Sequence, residues 1–350
     1  MVGPGEIARR ARGRVSGRIE SLPILALSVH SACNCRCVMC DIWKANSEKR
    51  EISSDDLSRH VDAIRSLRVQ RVMLTGGEPL LHRNLWSLCT ELQSLQIRIT
   101  LVTTGLLVER HAAAIASCID TVVISLDGPP EVHDAIRRVR GGFDRIAAGV
   151  MALRAELSRR SLGGGGLIAR CVVQRDNAAA IGATIAAAHR MGFDEISFLA
   201  ADVSSAAFNR AEPWSADRAA EIIVGRGELP ILIDAIGHAV HSDPDLFTNG
   251  FVAGGRASLD RIVQYYRALA GEGELPSVQC NAPWISAVLE PGDVLRPCFF
   301  QPAYGSAAGG LVEALNAESA VTFRRTLDVA ANETCRRCVC SLDLPLTRQV

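Results

Sequence analysis

Between residues 23 and 201 the chain alternates six short β-rich runs with helix-like patterns, and this alternation restricts the possible folds more than any other feature. The runs are ILALSV (24–29), RVML (71–74), IRITLVT (97–103), TVVISL (121–126), IARCVV (168–173) and EISFLA (195–200). Helical patterns lie between them, near 54–67, 83–94, 108–117, 143–157 and 178–190. Strands that alternate with helices pair in parallel, because each helix carries the chain back along one face of the sheet. The class is therefore α/β. A partial barrel and an open doubly wound sheet both satisfy the pattern. In both, function gathers in the loops at the C-terminal strand ends.

The remainder has a different rhythm. Residues 204–275 look helical and loop-rich, without strand periodicity. WISAVLEPGDVLRPC (284–298) places two strand-like runs around Pro291-Gly292-Asp293 and predicts a hairpin. A helical stretch follows at about 311–329. The expected divisions are an N-terminal arm or first helix (1–22), a core (23–203), a connecting region (204–275) and a small C-terminal domain (276–350). The glycine run 163–166 leads into a strand rather than a helix, so it is expected to be a flexible link and not a phosphate cradle.

The 38 basic and 38 acidic residues cancel, which leaves no electrostatic footprint for nucleic acid. No stretch is long and apolar enough to span a bilayer. The basic N-terminus lacks the apolar segment of a secretory signal, so a cytoplasmic location is expected. Twelve cysteines in such a setting point to metal binding or redox chemistry rather than disulfides. Nine fall in two groups: Cys33, Cys35, Cys37 and Cys40, and Cys280, Cys298, Cys335, Cys338 and Cys340. Cys89, Cys118 and Cys171 lie within predicted elements and are expected to be small buried hydrophobes.

The first group, HSACNCRCVMCDIWK (30–44), follows the first strand. Cys33, Cys37 and Cys40 have the spacing C-x3-C-x2-C. Three thiolates on one loop can hold three irons of a cubane and leave the fourth iron open, as catalysis requires. A structural zinc site, with Cys35 or His30 as fourth ligand, is the alternative.

CNCRCVMC resembles the cluster motif of the radical S-adenosylmethionine (SAM) superfamily, in which Asn34 is also common and Cys35 is outside the ligand set. The usual aromatic residue before the last cysteine is here Met39, whose thioether is expected to pack near the adenine. The second run ends in LTGGEPLL, and Gly76, Gly77, Glu78 and Pro79 resemble the family's GGEP motif, which binds the SAM amino group. After the fourth run, Ser125 matches the family's ribose contact and Arg137 its carboxylate partner, with Arg138 and Arg140 as alternatives. Asp127 is expected to order the loop or approach substrate, and His133 to be a loop or helix-start residue. Thr104 stands where the family often has asparagine before glycine. The sixth run is expected near the adenine through backbone groups.

The second group resembles a short SPASM-like, or twitch, auxiliary domain. Cys280 and Cys298 bracket the hairpin; Cys335 and Cys338 close the set, with Cys340 as the alternative to Cys338. Four cysteines suit one further [4Fe–4S] cluster or a zinc ribbon. The resemblance implies a partial (β/α)6 TIM-like barrel with a hairpin-plus-helix auxiliary domain, two [4Fe–4S] clusters and SAM. It also implies an oxidoreductase that cleaves SAM reductively to a 5′-deoxyadenosyl radical, removes a substrate hydrogen and oxidises the substrate radical. A flavodoxin- or ferredoxin-type donor is the expected partner. With about 22 residues before the first strand, no peptide-recognition domain is expected, so a small-molecule substrate is favoured. A peptide recognised through a separate protein is the alternative.

Overall fold

The computed structural model describes residues 2–159 and 166–350. Its strands are β1 (Ile24–His30), β2 (Arg71–Gly76), β3 (Arg98–Thr103), β4 (Thr121–Ser125), β5 (Gly166–Val173), β6 (Glu195–Ala200), β7 (Ser286–Glu290), β8 (Val294–Arg296) and β9 (Gly305–Ser306). All six strands expected before residue 201 are present close to their expected bounds, with helices between them. The class is α/β, as the alternation demands. The glycines 163–165 lie outside the described residues, and Gly166 opens β5.

Two helical expectations are split by tertiary contacts. The segment 54–67 forms Ser54–Ser58 and Val61–Ser66, because His60 between them turns its ring to Asp293 (2.9 Å). The segment 311–329 forms Leu311–Leu315 and Glu318–Thr326. Between these, the Asn316 side chain pairs with both backbone groups of Ile19 (2.7 and 3.0 Å).

Internal contacts divide the chain into two compact units: 1–33, 44–101 and 278–350 form one, and 34–43 with 102–277 the other. In the first, the strand order is β3-β2-β1-β7-β8-β9. β1 pairs in parallel with β2 on one side and β7 on the other, so its side chains are buried almost throughout. The hairpin β7–β8 thus continues the β1–β2 sheet, with Leu289 opposite Leu295. Gly292 and Asp293 turn it in left-handed conformation (φ 83° and 60°). The N-terminal segment is a docked helix, Pro4–Ser16, rather than a mobile arm. Its buried Arg10 binds Glu6 (2.9 Å) and the Arg348 carbonyl (2.9 Å).

In the second unit, β4, β5 and β6 are parallel. β5 and β6 alternate buried and half-buried positions, the signature of one face under helices and one less covered. Helices Ala216–Ile222, Leu229–Ser242, Pro244–Thr248 and Gly255–Leu269 make up the expected helical region. Tyr266 ties it to the strand ends, donating to the Val173 carbonyl (2.5 Å) and accepting from the Ala201 amide (2.9 Å). No helix among the described residues is long and apolar enough to cross a membrane.

Candidate metal and cofactor site

The cysteine loop leaves β1 at His30, and its first limb is held from three sides within the first unit. Asn46 acts as a surrogate strand: its side chain accepts from the Cys33 amide and donates to the Cys33 carbonyl, both at 2.9 Å. His30 Nδ1 accepts from the Ala32 amide (2.9 Å), and Nε2 faces Glu51 (3.3 Å). Burial lowers the His30 pKa, against the raising effect of Glu51. With both ring nitrogens engaged, His30 does not serve as a fourth zinc ligand.

The third side is the GGEP segment. The Gly77 amide donates to the His30 carbonyl (2.7 Å) and the Glu78 amide to the Ala32 carbonyl (2.9 Å). A Cβ on Gly77 would stand 2.1 Å from the Ala32 oxygen, and one on Gly76 (φ 127°) 2.4 Å from the His30 oxygen. The glycines are therefore required by the backbone of the cysteine loop itself, before any ligand is considered. Glu78 is fully buried and its carboxylate accepts from the Leu80 amide (3.0 Å), capping the short turn that Pro79 opens.

The second limb lies in the second unit and is built on helix Pro130–Arg137. The amides of Arg36 and Val38 donate to the carbonyls of Arg137 and Ile136 (3.2 and 3.0 Å), satisfying groups that a helix end leaves unpaired. Arg137 then turns back. Its Nε binds Asp127 (2.5 Å) and its Nη1 reaches the Cys37 sulfur (3.6 Å). Burial works against the Arg137 charge, but Asp127 and the thiols of Cys37 and Cys35 more than offset it.

Asp127 has no exposed surface. Its second carboxylate oxygen accepts from the Val172 amide (2.9 Å) and its carbonyl from Asn177 (2.8 Å). Its amide donates to His133 Nδ1 (3.2 Å). Burial pushes His133 down to about 4, so this imidazole is neutral and structural.

The result is an activated thiol. A hydrogen bond with Cys35 first, and Arg137 beside it, outweigh burial and hold Cys37 down to about 6. Thiolate is the form that ligates metal, so this donor fits an iron–sulfur ligand. Met39 is buried on the same limb. Thr104 donates to the Asn34 side chain (3.0 Å). Ser125 ends β4, in register with Arg170, whose Nε donates to Ser197 (3.1 Å).

The C-terminal cysteines all belong to the first unit. Asn281, buried beside Cys280, clamps the tail: its amide donates to the Leu342 carbonyl (2.8 Å) and its side chain to the Leu344 carbonyl (2.8 Å). Its side-chain oxygen accepts from the Leu344 amide (3.0 Å). The Gln301 side chain donates to the Cys335 sulfur (3.3 Å) and to Asn332 (2.9 Å). Burial pushes Cys298 up to about 11, opposed by the amides of Phe300 and Gln301 and reinforced by Cys280 and Cys335. Cys338 is pushed up by burial and further by Cys340, Cys280 and Cys298. Among the described residues, no three His, Cys, Asp or Glu side chains converge tightly enough to enclose a metal ion.

Residues 27–167 match the radical SAM superfamily. This segment is a radical SAM domain. Its cysteine loop, GGEP turn and Ser125–Arg137 segment all fall inside the match, and the family implies SAM and a [4Fe–4S] cluster. The chain is 33% identical over 163 residues to GTP 3′,8-cyclase of Xanthomonas campestris pv. campestris, covering 43% of this chain and 46% of that one. It thus spans about half the length of the curated relatives it matches.

Its fold resembles Streptococcus suis SuiB bound to precursor peptide SuiA (TM-score 0.63, 15% identity, 98% of this chain and 77% of that one). It also resembles anSMEcpe with bound AdoMet (TM-score 0.62, 17% identity, 90% and 86%). These likenesses bear out the partial-barrel fold class.

Within the radical SAM domain, Arg137 is engaged with Asp127 and Cys37 in place of a side chain open to solvent. Asn46 and Cys35 carry roles that sequence reasoning did not assign. Asp127, expected to order the loop or approach substrate, anchors Arg137 and the Val172 amide, and nothing in the spacing marked Asn46. Cys118 is half-buried rather than core, and Cys171 is an inert thiol whose pKa burial raises.

Proposed function

We propose that this chain is a radical SAM oxidoreductase with Cys33, Cys37 and Cys40 as the ligands of the SAM-cleaving cluster. The observation that carries this is Cys37: a buried thiol held down to about 6, in contact with a guanidinium anchored by a buried carboxylate. When bound, the cluster supplies the electron for reductive cleavage of SAM, and a second cluster supplies an acceptor for the substrate's electron.

The chain's own residues do the rest. Glu78, Gly76, Gly77 and Pro79 receive the SAM amino group, Ser125 the ribose, and Met39 packs at the adenine. A guanidinium has five N–H donors, of which the bonds to Asp127 and Cys37 take two, so Arg137 keeps donors for the SAM carboxylate. Cys280, Cys298, Cys335 and Cys338 hold the second, twitch-like cluster; the N–H donors to Cys298 and Cys335 support these ligands, and the exposed Cys340 is the reserve. Residues 276–350 are then the auxiliary domain and 23–203 the catalytic core. The substrate is a small molecule, in keeping with curated relatives named for GTP, and the reductant is a flavodoxin- or ferredoxin-type protein.

The test is anaerobic reconstitution with iron and sulfide, followed by assay for 5′-deoxyadenosine. Two cubanes require about eight irons per chain. Cys33→Ala, Cys37→Ala and Cys40→Ala are expected to abolish SAM cleavage. Cys280→Ala and Cys298→Ala are expected to spare it and to stop substrate turnover. Zinc without iron would overturn the proposal; about four irons, all lost in Cys37→Ala, would remove only the second cluster.

A further inference from the structure

The segment after β6 showed only helical and loop character in the sequence, yet in the second unit it is fastened to the cysteine loop. Asp202 and Arg210, both buried, brace it with an ion pair of 2.6 Å, and Ser205 donates to the same carboxylate oxygen (2.6 Å). Arg210 also donates to the carbonyls of Ala207 (2.8 Å) and Asp202 (3.1 Å). Phe208 and Asn209 take left-handed backbone (φ 59° and 62°), reversing the chain. Trp214 then lies between two guanidinium groups, Arg210 at 4.6 Å and Arg218 at 4.7 Å from its ring centre, which fixes the plane of the indole.

Three donors from this braced segment end on two residues of the loop. The Trp214 indole N–H binds the Asp41 carboxylate (3.0 Å), Asn209 binds the Asp41 carbonyl (3.3 Å) and Arg218 binds the Val38 carbonyl (2.5 Å). Val38 and Asp41 flank Met39 and Cys40. From within, Trp43 donates to the Cys40 carbonyl (2.9 Å). The backbone around Cys40 is therefore held by side chains about 170 residues distant in sequence.

We propose that residues 202–218 are a clamp on the cysteine loop, in which Trp214, acting through Asp41, is a positioning residue for the Cys40 thiolate. The proposal rests on the assignment of Cys40 as a cluster ligand. Without the clamp the loop still carries its cysteines, but the limb bearing Cys40 has lost its outer attachment and yields its metal faster.

The test uses the full chain, reconstituted anaerobically with iron and sulfide, as wild type, Trp214→Phe, Asp41→Ala, Asp41→Asn and Cys40→Ala. Release of iron to a ferrous chelator is followed for the iron that Cys40→Ala fails to load. Phenylalanine keeps a ring between the two arginines and removes the N–H donor. Trp214→Phe and Asp41→Ala are expected to release this iron about tenfold faster, the equivalent of one hydrogen bond to a charged group. Asp41→Asn retains a neutral oxygen for the indole and is expected to fall between, about threefold faster than wild type. Wild-type release from Trp214→Phe, or equal acceleration in the two Asp41 variants, would overturn the clamp. Full iron loading by Cys40→Ala would instead overturn the ligand assignment beneath it.

Discussion

Replacing Asp127 with asparagine tests the centre of the site directly. The side chain is fully buried and its partner Arg137 is only 10% exposed, so water compensates neither charge. Asparagine preserves shape and keeps an oxygen for the Val172 amide, but it withdraws the negative charge from the guanidinium. Removing one partner of a buried pair costs about 3–5 kcal/mol, because the other charge stays buried without compensation. The double variant Asp127→Asn, Arg137→Met removes both charges and is expected to be more stable than the sum of the single losses by at least about 1 kcal/mol. The Arg154–Asp194 pair is the control. It has a comparable 2.6 Å contact, but its side chains are 33% and 48% exposed, and Asp194→Asn is expected to cost less than about 1 kcal/mol. Urea unfolding of the iron-free proteins measures all four. A cost for Asp127→Asn no greater than that for Asp194→Asn, or strict additivity in the double variant, would refute the account.

Three further expectations concern other parts of the molecule. Gly77→Ala places a methyl group against the Ala32 carbonyl oxygen, a backbone atom, so the first limb of the cysteine loop must move; iron loading should collapse, and retained loading would contradict the packing. Cys35→Ala should retain SAM cleavage but shift the iron uptake of the apoprotein to higher pH, because Cys35 is the largest of the influences that lower the Cys37 thiol pKa. At Glu6, burial would raise the pKa, but hydrogen bonds from Ser21 and Arg10 win and lower it. A carboxylate lowered on folding contributes stability above its unfolded pKa and loses it as pH falls through the folded value. The advantage of wild type over Glu6→Gln in thermal melting should therefore be full at neutral pH and vanish on acidification; a pH-independent difference would contradict it.

Sequence alone was enough for the order of the parallel strands and their helices, and it marked the cysteines as candidate donors. Both are local: a strand, a helix or a C-x3-C-x2-C loop is written in residues a few positions apart. The tertiary structure decided what each donor meets, because those contacts join residues far apart in the chain. The GGEP glycines were legible as a close-approach motif, but their neighbour proved to be the backbone of residues 30–32. Arg137 was legible as a cation near the site; its bond to a cysteine sulfur 100 positions away was not. The hairpin could be read from Pro291-Gly292-Asp293, whereas its parallel pairing with β1 depended on a strand more than 250 residues earlier. Asn46, Asn281 and Trp214 had no signature at all. Single hydrogen bonds from isolated side chains leave no periodicity, and only the folded chain brings these residues to the segments that carry the cysteines.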